Sequence, residues 1–258
     1  MKLFSKTLTI IKKSAHKILW LERLVLNFKR KINRRKKVFY SNILGLFQNK
    51  HGLEIGGPSK IFNPIYDIAN SIDGVNHGET IWQGTVVKGA YNGTGKQYIA
   101  EGTELIPELL NNKYDFVMAS HVLEHIANPL KAIHTWGKSI VKFGLLVLIL
   151  PKKEYTFDHK RSVTSIHTLI EKYKLNIGED DLSELDEILK LHDLSMDTAA
   201  GSKEKLLERS LKNYENRCLH HHVFDFKLLH KVAKEVRMKV IYESLQGMDQ
   251  FIIFQKMY

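Results

Sequence analysis

The sequence has few of the features that mark an oxidising compartment or a membrane span. Cys218 is the single cysteine in 258 residues, which excludes an intramolecular disulfide and fits a reducing compartment. No run reaches the roughly 18 uninterrupted apolar residues that a membrane-spanning helix needs. Lys12 and Lys13 interrupt the short apolar stretch at residues 8–11, so a signal peptide is poorly supported. We therefore expect a cytoplasmic protein.

Net positive charge is lacking outside one segment, although the chain carries a formal net charge of +11. Residues 1–37 hold thirteen Lys and Arg residues against one acid, Glu22, which gives +12. The remainder holds 26 basic and 27 acidic residues and is close to neutral. This distribution argues against a core that wraps nucleic acid and for a basic N-terminal arm with its own task.

The arm, residues 1–37, is predicted to form one amphipathic helix. Its apolar residues recur at steps of three and four, without Pro or Gly between them. They are Phe4, Leu8, Ile11, Ala15, Ile18, Leu21, Val25, Phe28 and Ile32. Three partners fit such a helix: an anionic membrane surface, a protein surface and nucleic acid. We favour peripheral binding to the inner face of the cell membrane, where each basic residue contributes roughly 1 kcal/mol.

The rest of the chain, residues 38–258, is predicted to form one α/β domain. Strand signals lie at residues 51–55, within 66–73, and at 97–100, 114–119 and 144–150. Between the last two, a helix begins at Pro129, with an apolar stripe of Leu130, Ile133, Ile140 and Val141. A strand, helix and strand joined by a right-handed crossover are the unit of a doubly wound, mostly parallel sheet.

The C-terminal part adds a helix with Asp225 as its N-cap, and then strands at 238–243 and 250–255 that we expect to pair antiparallel. Between Pro151 and Asp225 lies a mostly helical insertion, at about residues 152–224. Ligands bind outside the carboxyl ends of the strands in open α/β sheets. Because the insertion leaves the sheet from such an end, we expect it to cap the ligand pocket.

One short stretch organises this domain: Glu54 ends a buried strand and is followed at residue 55 by Ile and then by Gly56 and Gly57. Glycine allows a positive φ and lets the backbone approach a ligand closely, so this pattern outlines a nucleotide-cofactor loop. Taken alone, a strand that ends in two glycines is more often a simple turn.

Further blocks make the pattern specific. Residues 53–59, residues 114–126 and the apolar strand to Pro151 together resemble class I S-adenosylmethionine-dependent methyltransferases. Residues 156–161 and 216–224 are similar to blocks of the type-11 methyltransferase-like bacterial subfamily. The resemblance covers about residues 50–256 and excludes the arm. It implies a Rossmann-like, seven-stranded sheet with an antiparallel terminal strand, and S-adenosyl-L-methionine as cofactor.

The resemblance also implies roles for the loop residues. Gly56 and Gly57 would lie beside the amino-acid end and ribose of the cofactor, and Glu54 would help to hold its α-ammonium group. The loop departs from the family pattern, because Pro58 and Ser59 replace the usual third glycine and the start of a helix. The amino-acid end of the cofactor is therefore expected to bind in a different way.

The same resemblance assigns the residues after the next strands. An acid about 20 residues after Glu54 would bind the ribose hydroxyls, for which Asp73 fits and Asp67 is the alternative. The pair Glu101-Gly102 would face the adenine, and the pair Ser120-His121 would line the sulfonium side.

Methyl transfer to a hydroxyl requires a positioned acceptor and removal of its proton, usually by histidine. The candidate bases are His121, His125, His159, His221 and His222. Asp158 could orient His159 as the base, and Arg161 could bind an anionic substrate group. His221 and His222 are the alternative pair.

A metal site is not expected from the sequence. Cys218, His220 and His222 would share one face of an extended segment, but their spacing matches no established zinc signature.

Three functions remain open on this basis. The first is methyl transfer to a hydroxyl or carboxyl of a small molecule or saccharide, such as a membrane-associated cell-surface glycan precursor. The second is a non-catalytic binding protein that retains the fold. The third, an RNA methyltransferase that captures RNA with the arm, is disfavoured by the near-neutral core, so nucleic acid is not the expected partner.

Overall fold

The computed structural model describes residues 43–78 and 95–258. The chain divides into two units, residues 1–45 and residues 46–258, and the second contains the sheet. The predicted helix at residues 3–37 lies outside the described residues. Within the described part, none of the helices has the length and apolar character needed to cross a bilayer.

A seven-stranded sheet forms the centre of the second unit. Its strands are β1 (His51–Ile55), β2 (Ser71–Asn76), β3 (Gln97–Ile99), β4 (Tyr114–Ser120), β5 (Ile140–Pro151), β6 (Met238–Gln246) and β7 (Asp249–Lys256). Their order in the sheet is β3-β2-β1-β4-β5-β7-β6, and β7 runs antiparallel to both of its neighbours. The other pairings are parallel. The predicted doubly wound sheet with an antiparallel terminal strand is confirmed.

The helices of the described residues fall into flanking and capping groups. They are α1 (Asn63–Tyr66), α2 (Pro129–Ser139), α3 (Ile166–Lys174), α4 (Leu185–Leu191), α5 (Lys203–Leu211), α6 (Asn213–Asn216) and α7 (Phe226–Glu235). The elements α3 to α6 belong to the segment between β5 and α7, which we call the cap. A mostly helical insertion is thus present where the sequence predicts one.

The core lies around β4 and β5, whose inner residues are buried on both faces of the sheet. Residues of α2 and α7 pack against them. Trp136 of α2 is fully buried, and its indole Nε1 donates a hydrogen bond of 2.8 Å to the carbonyl of Gly102. The core therefore fixes the backbone that follows β3, at the edge where a ligand is expected.

Two element boundaries differ from the prediction. The β2 strand begins at Ser71, because α1 occupies residues 63–66, with Pro64 in its first turn where a missing N–H is tolerated. The predicted continuation of α2 through Ile140 and Val141 is wrong, because β5 already begins at Ile140. A register shift separates the pair Tyr114–Ile140 from the regular pairing that starts at Phe116 and Leu145.

Asp225 caps α7 as predicted, since its side chain accepts a hydrogen bond of 2.7 Å from the backbone N–H of Leu228. Asp225→Ala should lower the free energy of unfolding by about 1 kcal/mol, because this N–H loses its acceptor. Asp225→Asn keeps an acceptor oxygen on a side chain of the same length, so its free energy of unfolding should stay close to that of the wild type. Urea denaturation of the three proteins measures this, and equal losses in both variants would contradict the capping role.

Candidate functional site

A cleft opens at the carboxyl ends of β1, β2, β3 and β4, under the cap. Its lining residues are Ile55, Gly56, Val75, Asn76, His77, Ala100, Glu101, Gly102, His121, Val122, His125, Ile126, Glu179 and Arg217. The cleft holds about 560 Å³ of space between atoms, a figure that includes open solvent. Of the predicted cofactor residues, Gly56, Glu101, Gly102 and His121 line this cleft.

Gly56 makes the turn at the end of β1 possible. Its φ is +75°, a conformation that favours glycine, and a Cβ atom there would lie 2.5 Å from Cγ2 of Val122. The Gly56 backbone N–H donates a hydrogen bond of 2.8 Å to the carbonyl of Val75. The loop backbone therefore borders the cleft with no side chain in the way.

Glu54 supports this loop from behind. Its buried carboxylate accepts hydrogen bonds from the Ser59 backbone N–H, at 2.9 Å, and from the Tyr66 hydroxyl. A Cβ atom at Gly57 would lie 2.0 Å from the Glu54 carboxyl carbon. Burial raises the pKa of Glu54 to about 7, against the opposing effect of these hydrogen bonds. Neither Glu54 nor Gly57 is among the residues that line the cleft.

β2 ends at Asn76 and is followed by His77, and both residues line the cleft, whereas Asp73 does not. Asp73 lies within the strand, where it accepts hydrogen bonds from the Tyr114 hydroxyl at 2.6 Å and the Lys96 backbone N–H at 2.8 Å. The structure therefore does not bring Asp73 to the cleft. Asn76 donates from Nδ2 to the Gly57 carbonyl at 2.9 Å, and its buried Oδ1 has no hydrogen-bond partner among the described residues.

The cap closes the far side of the cleft through Arg217, which the sequence-based prediction did not single out. Arg217 follows α6 in a left-handed conformation, with φ +51°. Its Nη2 donates to Glu101 at 2.7 Å, and its Nη1 lies 3.0 Å from a carboxylate oxygen of Glu179. His77 Nδ1 is 3.0 Å from the same Glu101 oxygen. These ion pairs join the cap to the ends of β2 and β3.

Glu179 is the buried member of this group. It accepts a hydrogen bond of 3.1 Å from the backbone N–H of Ala127. Burial raises the pKa of Glu179 to about 7, and the nearby Glu101 charge adds to the rise, while Arg217 opposes it. A carboxyl within the acidic middle of the cap thus reaches the cleft, and no sequence motif marked it.

His121 is held in its charged form in the cleft. Burial lowers its pKa, but the neighbouring carboxylates of Asp249 and Glu124 outweigh burial and raise the pKa to about 10. Its ring nitrogens lie 3.3 Å from Asp249 and 3.4 Å from Glu124. Ser120, the last residue of β4, is buried beside it and does not line the cleft.

The predicted pairing of Asp158 with His159 is not present. His159 Nε2 instead pairs with Asp193 at 2.8 Å, and the Asp158 carboxylate contacts His220 and Arg161. The buried Arg161 guanidinium donates to the backbone carbonyls of His220, at 2.6 Å, and His221, at 3.1 Å. Arg161 therefore holds the cap backbone and is not placed to bind a substrate group in the cleft.

His221 and His222 are buried at the end of the cap and do not line the cleft. His221 Nε2 pairs with the Asn213 side chain at 3.0 Å, and His222 Nε2 donates to the Ala127 carbonyl at 3.1 Å. Burial lowers the pKa of each to about 3, so both are neutral at neutral pH. Cys218 Sγ contacts the Arg209 carbonyl at 3.6 Å, away from the partners of His220 and His222.

Comparisons with known proteins identify structures that share this fold. No protein-family model matches the sequence, and no curated protein does either. A methyltransferase from Mesorhizobium loti, described as S-adenosylmethionine dependent, is 9% identical with a TM-score of 0.50, over 81% of this chain and 92% of that chain. The complex of the Haloferax volcanii Trm112 methyltransferase activator with a methyltransferase gives 7% identity and a TM-score of 0.50, over 89% and 92%.

A third structure, described as a zinc-dependent alcohol dehydrogenase from Rhodobacter sphaeroides, is 13% identical with a TM-score of 0.53, over 86% of this chain and 89% of that chain. At these identities the likeness concerns the fold alone. The antiparallel β7 between β5 and β6 distinguishes the sheet from the six-stranded dinucleotide-binding order. The chain has the Rossmann-like fold of class I methyltransferases, and the type-11 subfamily stays a prediction.

The raised pKa of Glu54 predicts a pH-dependent stability. Because the pKa in the folded protein, about 7, exceeds the ordinary value of 4.5, the folded state binds the proton more tightly than the unfolded state between these values. The free energy of unfolding should therefore fall as pH rises from about 4.5 to about 7, by up to about 3 kcal/mol.

Glu54→Gln removes this titration, so the wild type should lose stability relative to the variant between pH 5 and pH 8. Glu104→Gln is the control, because the Glu104 carboxylate is exposed and paired with Lys131. Urea denaturation at both pH values gives the comparison. Parallel pH profiles for the wild type and Glu54→Gln would contradict the buried-acid interpretation.

Proposed function

We propose that the protein is an S-adenosylmethionine-dependent methyltransferase that acts on a hydroxyl or carboxyl of a small molecule or saccharide. The observation that carries this proposal is the cleft at the carboxyl ends of β1 to β4, where Gly56 leaves the backbone bare and Asn76 Oδ1 lacks a partner. A buried acceptor without a donor is costly, so a ligand hydroxyl is the expected partner.

The residues present fit the cofactor. The Gly56 backbone would border its amino-acid end, Asn76 Oδ1 would accept a hydrogen bond from a ribose hydroxyl, and Glu101 would accept from the adenine amino group. Apolar side chains between them, Ile55, Val75, Ala100 and Ile126, would contact the flat base. The cofactor supplies an electrophilic methyl group on a sulfonium. The protein's own task is then to orient the acceptor and exclude water.

The charges of the cleft favour an oxygen acceptor. His121 is held in the cationic form, and Arg217 carries an Nε group without a hydrogen-bond acceptor among the described residues. Donors of this kind stabilise an oxygen that is anionic or becomes so during transfer. Because His159, His221 and His222 do not line the cleft, none of these three is proposed as the base.

Titration calorimetry of S-adenosylhomocysteine into the full chain tests the cofactor site. Binding in the micromolar range, about −8 kcal/mol, is expected for the wild type. Asn76→Ala should weaken binding by about tenfold, because one buried hydrogen bond is lost. Gly56→Ala should weaken it further, because the new Cβ displaces the loop or Val122.

Asp73→Asn is the matched control and should bind like the wild type, since Asp73 contacts Tyr114 and Lys96 within the sheet. Circular dichroism verifies that each variant is folded. If Asp73→Asn alone weakened S-adenosylhomocysteine binding, the ribose hydroxyls would be assigned to Asp73 instead of Asn76. Absence of binding to folded wild-type protein would contradict the proposal and favour a non-catalytic binding protein.

We further propose that the basic arm, residues 1–37, brings the protein to an anionic membrane surface, where saccharide or lipid-linked acceptors are available. The support is the net charge of +12 on an apolar period of three and four residues. Replacing seven basic residues by Gln should reduce sedimentation with anionic vesicles: Lys29, Arg30, Lys31, Arg34, Arg35, Lys36 and Lys37. Neutral vesicles are the control. Equal binding by both proteins would remove the membrane role.

A further inference from the structure

A cluster of potential metal ligands lies where the cap meets the sheet. Glu124 and His125 lie in the 3-10 turn Leu123–His125 that follows β4, and His220 comes from the end of the cap. One ligand atom from each of these three side chains lies within 4.8 Å of the other two. Two ligand atoms of one ion lie at most about 4.4 Å apart when metal–nitrogen and metal–oxygen bonds are about 2.0–2.2 Å long, so small side-chain adjustments would let these three atoms share one ion.

Each of the two imidazole rings has its Nδ1 held by a neighbouring oxygen, which leaves Nε2 for a metal ion. His125 Nδ1 lies 3.0 Å from the Leu219 carbonyl, which can only accept, so Nδ1 carries the proton and Nε2 keeps a lone pair. His220 Nδ1 is hydrogen-bonded to the Asp158 carboxylate, which Arg161 contacts at 3.3 Å. Metal-binding histidines nearly always donate their second N–H to a carbonyl or carboxylate in this way.

Glu124 is a buried carboxylate whose oxygens have no hydrogen-bond donors among the described residues. Its side chain is 2% exposed, and both carboxylate oxygens lack a hydrogen-bond partner among the described residues. The charged neighbour His121 lies 3.4 Å away and forms an ion pair without hydrogen-bond geometry. His121 offsets part of the charge of this buried carboxylate, but its two oxygens still lack donors, and a bound ion would ligate them directly.

We propose that Glu124, His125 and His220 bind a divalent transition-metal ion, with Asp158 and the Leu219 carbonyl holding the two rings. Two imidazoles and one carboxylate suit Zn²⁺ and its first-row neighbours, whereas Mg²⁺ and Ca²⁺ prefer oxygen ligands. Three protein ligands leave coordination positions open, as in catalytic sites.

The position of the cluster connects two cavities. His125 lines the cleft, and Glu124 and His220 line a smaller cavity that also contains Asp158 and His222. An ion between them would offer an acceptor oxygen a binding position beside the cleft and would lower the pKa of that oxygen. This consequence rests on the proposed methyl transfer, whereas metal binding itself does not.

The test uses the full chain without a polyhistidine tag, freed of metal with a chelator and titrated with Zn²⁺ in a calorimeter and with Co²⁺ by visible absorption. One ion per chain is expected. Glu124→Gln and His220→Gln should each lower the affinity at least about tenfold, and Asp158→Asn, which acts through His220, about 10- to 100-fold. His230→Gln is the control, because His230 is exposed and pairs with Glu243 at 2.7 Å.

Thermal melting provides the second readout. At one Zn²⁺ concentration, the melting temperature of the wild type and His230→Gln should rise, and that of Glu124→Gln and His220→Gln should rise much less, because the stabilisation falls as the ion binds more weakly. Absence of binding by the wild type, or equal binding by all variants, would overturn the metal site. S-adenosylhomocysteine titration of the metal-free protein separates this failure from a failure of the proposed function.

Discussion

The site depends on one set of hydrogen bonds. The buried Arg161 guanidinium donates them to the backbone carbonyls of His220 and His221. This interaction fixes the end of the cap across the carboxyl edge of the sheet, so Arg217 reaches Glu101 and His220 lies beside Glu124. Charge-assisted hydrogen bonds from a planar, permanently charged group are suited to such a task. A residue that the sequence suggested for substrate binding thus shapes the site from behind.

Two buried carboxylates, Glu54 and Glu179, hold the backbone near the carboxyl edge of the sheet. Glu54 holds the loop after β1 through Ser59 and Tyr66, which compensates for a loop that continues with Pro58 instead of a third glycine. Glu179, which belongs to the cap, accepts a hydrogen bond from the Ala127 backbone N–H and forms an ion pair with Arg217. Burial of each carboxylate costs desolvation free energy, which the hydrogen bonds and ion pairs of its partners offset. Buried carboxylates with shifted pKa values are more typical of functional sites than of ordinary cores.

The fold could be predicted well, and the site only in part. Strands β1, β3 and β4, the antiparallel C-terminal pair and the Asp225 cap follow from local patterns of apolar residues and capping. Asp73 was expected at the cleft because it lies 19 residues after Glu54, but α1 delays the start of β2 and the strand ends at Asn76. The spacing rule failed because an intervening turn changed where the strand ends.

The sequence by itself determined the doubly wound sheet, the glycine turn after β1 and the position of the cap, because each depends on residues close together in the chain. Tertiary structure decided which polar side chains meet. Asp158 pairs with His220, 62 residues away, instead of its neighbour His159, and Arg217 pairs with Glu101 across 116 residues. Such pairs depend on how the cap folds back over the sheet, and no local pattern encodes that path.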